Sequence, residues 1–243
     1  MVKEVNILKK LINKYYEEKR REKNQMHFYI TDAGKCLRAI YLSMKGYPRK
    51  EKEARVLRIF DIGDDIHQRL MRTLFGISEL KVNNAEVRVI ASRIDVAPEE
   101  LFHGRADAII SLNNKLYVVD FKSISDYKFK KLEKDEPEIS HQYQLQLYMH
   151  YFKVPHGILL YENKNTQDFK EFELEYNYKL CKKIISDFEN LKEEYLNQDI
   201  IPPIPLELKV KREAAKDNKG KFPWECDYCD FREECDRIEK TKK

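Results

Sequence analysis

The chain has 243 residues, 36% of them Asp, Glu, Lys or Arg, and a formal net charge of +4. That length can bury a substantial core, as one large domain or one domain with appendages, while so small a net charge leaves any recognition of a polyanion to local patches. No apolar run approaches the roughly 20 residues of a membrane span and no signal peptide opens the sequence, so a cytosolic chain is expected, cytoplasmic and away from membranes, with cysteines that stay reduced or bind metal.

In chain order, Leu8, Leu11, Ile12 and Tyr15 share one helical face, and the mixed charges from Glu17 to Lys23 read as its solvated end. Thr31-Asp32 has the chemistry of an N-cap for a helix carrying Cys36, Ile40 and Tyr41. A long helix is expected over 54–75, with Ile59, Ile62, Ile66, Leu70 and Leu74 inward. A strand follows over 86–92. Glu86 at its start is an acidic candidate, although a solvated strand end accounts for it as well. Pro137 precedes a helix running through Phe152, and 157–161 with 169–174 reads as a hairpin. A helix carrying Leu180, Ile184, Phe188, Leu191 and Tyr195 comes next. Ile201-Pro202-Pro203-Ile204-Pro205 marks a break before a basic, cysteine-bearing tail. The expected fold class is α/β, a central mixed β-sheet flanked by helices, divided into an N-terminal helical region (1–53), a core (54–200) and a C-terminal cysteine module (201–243).

The densest chemistry lies between the strand at 86–92 and Pro137. Two β-rich runs, Arg105 to Leu112 and Lys115 to Lys122, are joined by Asn113-Asn114, and Asn tolerates the left-handed backbone a tight hairpin turn requires. With that turn Leu112 faces Lys115, and counting back pairs Asp107 with Asp120. Directly opposed carboxylates, with Cβ atoms about 4.5–5.5 Å apart, repel unless a cation lies between them. Alternation puts Lys122 on the face of Asp120. Two acids and a lysine on one side of a hairpin suit metal-dependent hydrolysis. Taken alone, a half-exposed strand with solvated charges accounts for the same residues equally well.

The second cluster is Cys226-x2-Cys229-x5-Cys235, three thiols within ten residues and short of one metal ligand. Cys36, in the polar setting Gly34-Lys35-Cys36-Leu37-Arg38, is the candidate fourth, whereas Cys181 adjoins an apolar helical stripe and reads as a core residue. Four thiolates suit zinc or an iron–sulfur cluster. A triplet plus a remote single cysteine favours [4Fe–4S], with zinc the alternative.

Gly63-Asp64-Asp65-Ile66-His67, Gly104-Arg105-Ala106-Asp107, Asp120-Phe121-Lys122, Gln144-Leu145-Gln146-Leu147-Tyr148 and the cysteine triplet resemble, in their order, the RecB-type nucleases of the PD-(D/E)xK superfamily. The early cysteine with the triplet is similar to the iron–sulfur branch that includes CRISPR-associated exonucleases. The resemblance implies that 54–200 is a nuclease core of restriction-endonuclease type. It implies that His67, Asp107, Asp120 and the Phe121 carbonyl hold one or two Mg²⁺ or Mn²⁺ ions, and that Lys122 orients or deprotonates the attacking water and stabilises charge on the phosphate. Gly63, one turn before His67, would leave room for metal or substrate. Gln144 and Tyr148 would contact nucleic acid. Asp120 stands where many members carry Glu. The implied function is a DNA nuclease, an exonuclease on single-stranded or frayed ends, acting in CRISPR spacer acquisition with an integrase complex as partner. The alternatives are a phage or host recombination or repair nuclease of the same family, and a non-cleaving DNA-binding iron–sulfur or zinc module. DNA would be guided by Tyr127-Lys128-Phe129-Lys130-Lys131 and by Lys209, Lys211, Arg212, Lys216, Lys219 and Lys221, although a solvated lysine-rich surface explains any one of these.

Overall fold

A computed structural model describes residues 7–19, 25–77, 81–82, 85–97, 100–132, 136–217 and 222–241. The elements are α1 (Ile7–Glu18), β1 (Phe28–Tyr29), a 3₁₀ turn (Ile30–Asp32), α2 (Leu37–Met44), α3 (Ala54–Ile77), β2 (Lys81–Val82), β3 (Ala85–Asp95), β4 (Phe102–His103), β5 (Arg105–Leu112) and β6 (Lys115–Ile124). They continue with α4 (Asp126–Lys131), α5 (Ile139–Phe152), β7 (His156–Asn163), β8 (Phe169–Glu175), α6 (Tyr178–Asn190) running into a π-helical turn (Leu191–Leu196), α7 (Leu206–Asp217), α8 (Trp224–Asp227) and α9 (Arg232–Thr241).

Six strands form one sheet in the order β2-β3-β5-β6-β7-β8. Neighbours are antiparallel except β6 and β7, which run parallel because α5 carries the chain back across the sheet between them. This is the mixed sheet expected from sequence. Strand alternation gives it two apolar faces. Val118, Leu159 and Tyr161 pack with Leu145, Leu147 and Met149 of α5 and with Ile184 and Phe188 of α6. Val119, Phe121, Ala108, Ile110 and Ile158 pack under Ile66 and Leu70 of α3. Each fully buried Leu or Phe in these layers contributes roughly 1.5–3 kcal/mol.

Helix α5 is enclosed on all sides: the six consecutive residues Gln144 to Met149 are all buried. It therefore shows no single apolar stripe, and its glutamines are bonded internally. Gln146 donates to the Glu175 carbonyl at 2.7 Å and accepts from the Asn177 N–H at 2.7 Å, fixing the entry to α6.

Two local expectations, at Thr31-Asp32 and in α3, are corrected. Thr31 and Asp32 belong to the 3₁₀ turn and Cys36 is the N-cap residue of α2, because Gly34 at φ +81° ends the turn before the helix begins. Asp32 instead accepts from the Tyr29 N–H and from Gln25. The apolar face of α1 faces solvent, and no residue of that helix is buried. Its polar side meets α3, where Tyr16 donates to Asp61 and Arg58 to Asn13. In α3, Ile66 and Leu70 are buried while Ile59 and Ile62 are exposed, since one turn before Ile66 it is Gly63 that meets β6, and Ile62 is turned away from it.

The tail closes against the N-terminal segment. Phe231, Cys235 and Ile238 join the core that holds Ile40, Tyr41 and Leu42. Arg38 donates to the Pro202 carbonyl at 2.7 Å, and the Lys50 N–H to the Asp230 carbonyl at 2.8 Å. Among the described residues no helix is long and apolar enough to cross a membrane.

Candidate active site

Asn113 and Asn114 adopt φ values of 51° and 65°, the two successive left-handed residues of a tight hairpin turn. The register then runs from Leu112 opposite Lys115 to Ala108 opposite Val119, so the next position brings Asp107 to Asp120. There the ladder gives way to a side-chain contact. Asp107 Oδ2 accepts the Phe121 N–H at 2.7 Å, and its Oδ1 lies 3.2 Å from His67 Nδ1. Helix α3 thus reaches the end of the hairpin through His67, whose ring meets that of Phe121 edge-on.

Asp120 is buried, and its Oδ2 lies 2.7 Å from Lys122 Nζ in an ion pair that lacks hydrogen-bond geometry. Burial holds its carboxyl above the usual carboxylate range against the pull of the Lys122 ammonium, and the charge of Asp107 adds to the rise. Burial opposes protonation of His67, but the hydrogen bond to Asp107 and the charges of Asp107 and Asp120 outweigh it and raise its pKa.

Gln144 and Tyr148 come to the same place from α5. Gln144 is buried and its Oε1 accepts from Lys122 Nζ at 2.8 Å. Tyr148 is also buried, donates to the Arg105 carbonyl at 2.8 Å, and is pushed up in pKa by burial and by the two carboxylates. Both side chains act here on protein groups, steadying the lysine and the strand that carries Asp107. His141 shares their helix face, at i, i+3 and i+7, a spacing from which its place was legible. Its Nδ1 lies 2.8 Å from the Tyr161 hydroxyl, and burial, with the charges of Lys122 and Lys128, pushes its pKa down to about 3.

Other expected features fall differently. A Cβ on Gly63 would lie 3.3 Å from Ser123 Oγ and 3.7 Å from Lys164 Nζ. The missing side chain lets α3 approach β6, and protein atoms occupy the space once assigned to metal or substrate. Phe129 is buried, so only Tyr127 of that segment presents a ring to solvent. Lys130 pairs with Asp126, and Lys128 with Glu138. Lys211 pairs with Glu207, and Arg212 is buried. The side chains of Glu86 and Lys216, and residues Lys219 and Lys221, lie outside the described residues.

The cysteines divide as their settings suggested. Cys36, Cys226, Cys229 and Cys235 line one cavity of about 30 Å³ between α2 and the tail. Burial raises the thiols of Cys36, Cys226 and Cys229, that of Cys229 to about 11, and neighbouring thiols of the set add to each rise. Cys181 lies apart, fully buried, with its sulfur 3.3 Å from the Gln146 carbonyl.

Among the described residues no three His, Cys, Asp or Glu side chains close tightly on one point. In the acidic group the reason is visible: Lys122 covers Asp120, while His67 and the Phe121 N–H engage Asp107. The donor set still fits a divalent cation, because the buried Asp120 Oδ2 meets only the Lys122 ammonium among the described residues, and the charges of Lys122 and His67 leave its carboxyl above the usual carboxylate range.

A family profile described as the PD-(D/E)XK nuclease superfamily matches residues 35–236. A CRISPR-associated exonuclease Cas4 of Saccharolobus solfataricus is 28% identical over 237 residues, which is 93% of either chain. The crystal structure of SSO0001 is 24% identical with a TM-score of 0.49 over 93% of each chain. An alkaline exonuclease from Laribacter hongkongensis is 16% identical with a TM-score of 0.41, over 61% of this chain and 71% of that one. Neither superposition is close enough to transfer a residue role. The family match spans the hairpin, His67, the α5 pair and all four cavity cysteines, and the chain belongs to the PD-(D/E)XK nuclease superfamily.

Proposed function

We propose that this nuclease hydrolyses DNA phosphodiesters at single-stranded or frayed ends with a divalent cation, Mg²⁺ or Mn²⁺. The observation that carries the reading is the convergence of His67, Asp107, Asp120 and Lys122 at one end of the β5–β6 hairpin. Asp107, Asp120 and His67, with the Phe121 carbonyl, would hold the cation, which supplies Lewis acidity and a more acidic bound water. An ammonium has three donors. Lys122 directs its charge to Asp120 and one N–H to Gln144, which leaves donor capacity for the attacking water or the scissile phosphate. The water oxygen bonds to phosphorus and gives up a proton to solvent, the P–O ester bond breaks with its electron pair on the leaving oxygen, which takes a proton from solvent, and Lys122 offsets the charge that develops.

Attack at ends and a CRISPR setting draw support from the name of the Saccharolobus relative, a CRISPR-associated exonuclease; within that setting we place the enzyme in spacer acquisition, with an integrase complex as partner. We read the four-cysteine cavity as the seat of a [4Fe–4S] cluster, or of zinc, that fastens the 201–243 segment to the 1–53 segment across the 54–200 nuclease core. The shared cavity, lined by Cys36 and the triplet but not by Cys181, supports this.

The test is cleavage of end-labelled single- and double-stranded DNA by anaerobically purified protein, in Mn²⁺, Mg²⁺ or EDTA, beside Asp120→Ala. Metal-dependent loss of label that disappears in the variant supports the proposal, and labelling each end in turn gives the direction. Folded, metal-replete protein that retains DNA in a salt-sensitive way without cutting it would refute the nuclease chemistry.

A further inference from the structure

Cys235 differs from the other three cavity cysteines in what points at it. Arg38 Nη1 and Arg212 Nη1 each lie 3.5 Å from its sulfur. Both arginines are buried, Arg38 at 2% exposure and Arg212 at 7%. Each also engages a carboxylate of α9, Arg38 with Glu239 at 2.7 Å and Arg212 with Asp236. Each guanidinium has a carboxylate partner, Arg38 through the same Nη1, yet both also present an N–H to one sulfur, which as a neutral thiol is only a weak acceptor. They fit a sulfur that carries charge.

A divalent zinc, or an oxidised [4Fe–4S] core, bound by four thiolates leaves two net negative charges, and two guanidiniums sit beside this cavity. Glu239 and Asp236, at 40% and 36% side-chain exposure, lie towards solvent and are screened there. We propose that Arg38 and Arg212 are positioning residues for the metal centre: they orient Cys235 as a ligand and offset the charge of the assembled site. This rests on the cysteine cavity being a metal site. Through Glu239 and Asp236 the same arginines link occupancy of that site to the docking of α9.

The test uses full-length, anaerobically purified protein whose iron, acid-labile sulfide and zinc are measured first. Metal release into excess EDTA is then followed for wild type, Arg38→Gln, Arg212→Gln, Arg212→Lys, Glu239→Gln and Asp236→Asn, each checked for folding by thermal unfolding. Arg212→Gln is the second variant because Arg38 is the more deeply buried. The expected result is release on the order of 10–100-fold faster in either Gln variant. Partial recovery is expected in Arg212→Lys, and only a small change in Glu239→Gln and Asp236→Asn. If the centre holds iron, folded and loaded Gln variants also show a lowered reduction potential and a shifted charge-transfer absorption, which a purely structural tie would leave in place. Wild-type release rates in both Gln variants would overturn the inference, and so would acceleration by the carboxylate variants equal to that by the arginine variants. Wild-type protein with neither iron nor zinc would overturn the metal reading itself.

Discussion

Tyr148→Phe removes one oxygen atom and nothing else. The hydroxyl donates at 2.8 Å to the Arg105 carbonyl, two residues before Asp107, from a side chain only 3% exposed. Losing a neutral hydrogen bond costs about 0.5–1.5 kcal/mol net, and leaving this part-buried carbonyl without its donor costs up to about 1–3 kcal/mol. A destabilisation of about 1–3 kcal/mol is therefore expected, and in a chain of this size each kcal/mol lowers Tm by roughly 2–4 °C. Thermal unfolding in EDTA measures this apart from any cation. Single-turnover cleavage of a labelled oligonucleotide across a range of protein concentrations measures the other half. If the hydroxyl steadies the strand beneath Asp107, the maximal rate falls modestly and the concentration for half-maximal rate stays put. An unchanged Tm with severely weakened DNA binding would refute this reasoning and make Tyr148 a direct contact to nucleic acid.

Asp120→Asn should abolish cleavage, by on the order of 10³-fold, while raising the Tm of the metal-free protein, because burial makes the ionised carboxyl unfavourable despite Lys122; a lower Tm in EDTA would contradict this. His141 has its pKa depressed by burial and by neighbouring lysines to about 3. Between about pH 6.5 and 3 the unfolded chain therefore binds a proton that the folded chain refuses, and stability falls with pH across that window by up to about 1.4 kcal/mol per unit. His141→Gln should flatten the Tm profile there, and a profile parallel to wild type would dismiss the assignment. Cys229→Ala should lose bound metal and lower Tm together, whereas Cys181→Ala should keep its metal at a cost of at most about 1–2 kcal/mol; equal metal loss in both would remove the distinction between them.

What could be read from sequence was what local geometry decides. The Asn113-Asn114 turn and side-chain alternation are properties of neighbouring residues, and they suffice to bring Asp107, Asp120 and Lys122 to one end of a hairpin. The separation of Cys181 from the other cysteines followed in the same way from its place on an apolar helical stripe: it is fully buried and lies outside the cavity that the other four line. What failed depended on distant partners. Ile59 and Ile62 continue the periodicity of Ile66, yet there it is Gly63 that meets β6. Arg212 looked like one of several exposed cations because nothing in its neighbourhood announces a sulfur 23 residues later. The bond from Lys122 to the Gln144 amide oxygen was equally invisible in the sequence, because only the crossover of α5 brings the two side chains together.

The clasp at Arg38 has a bearing on the order in which the molecule assembles. Asp107, Asp120, Lys122, Gln144 and Tyr148 lie within one hairpin-and-crossover unit, whereas Arg38 meets Glu239 across 201 positions of sequence. Closing so long a loop adds little free-energy cost, since each doubling of length adds only about 0.6 kcal/mol, but contacts this remote form slowly and late. Folding is therefore expected to complete the hairpin and its crossover helix before α2 and α9 meet. Hydrogen exchange should find α2 and α9 opening together as one low-stability unit while the amides of β5 and β6 stay protected.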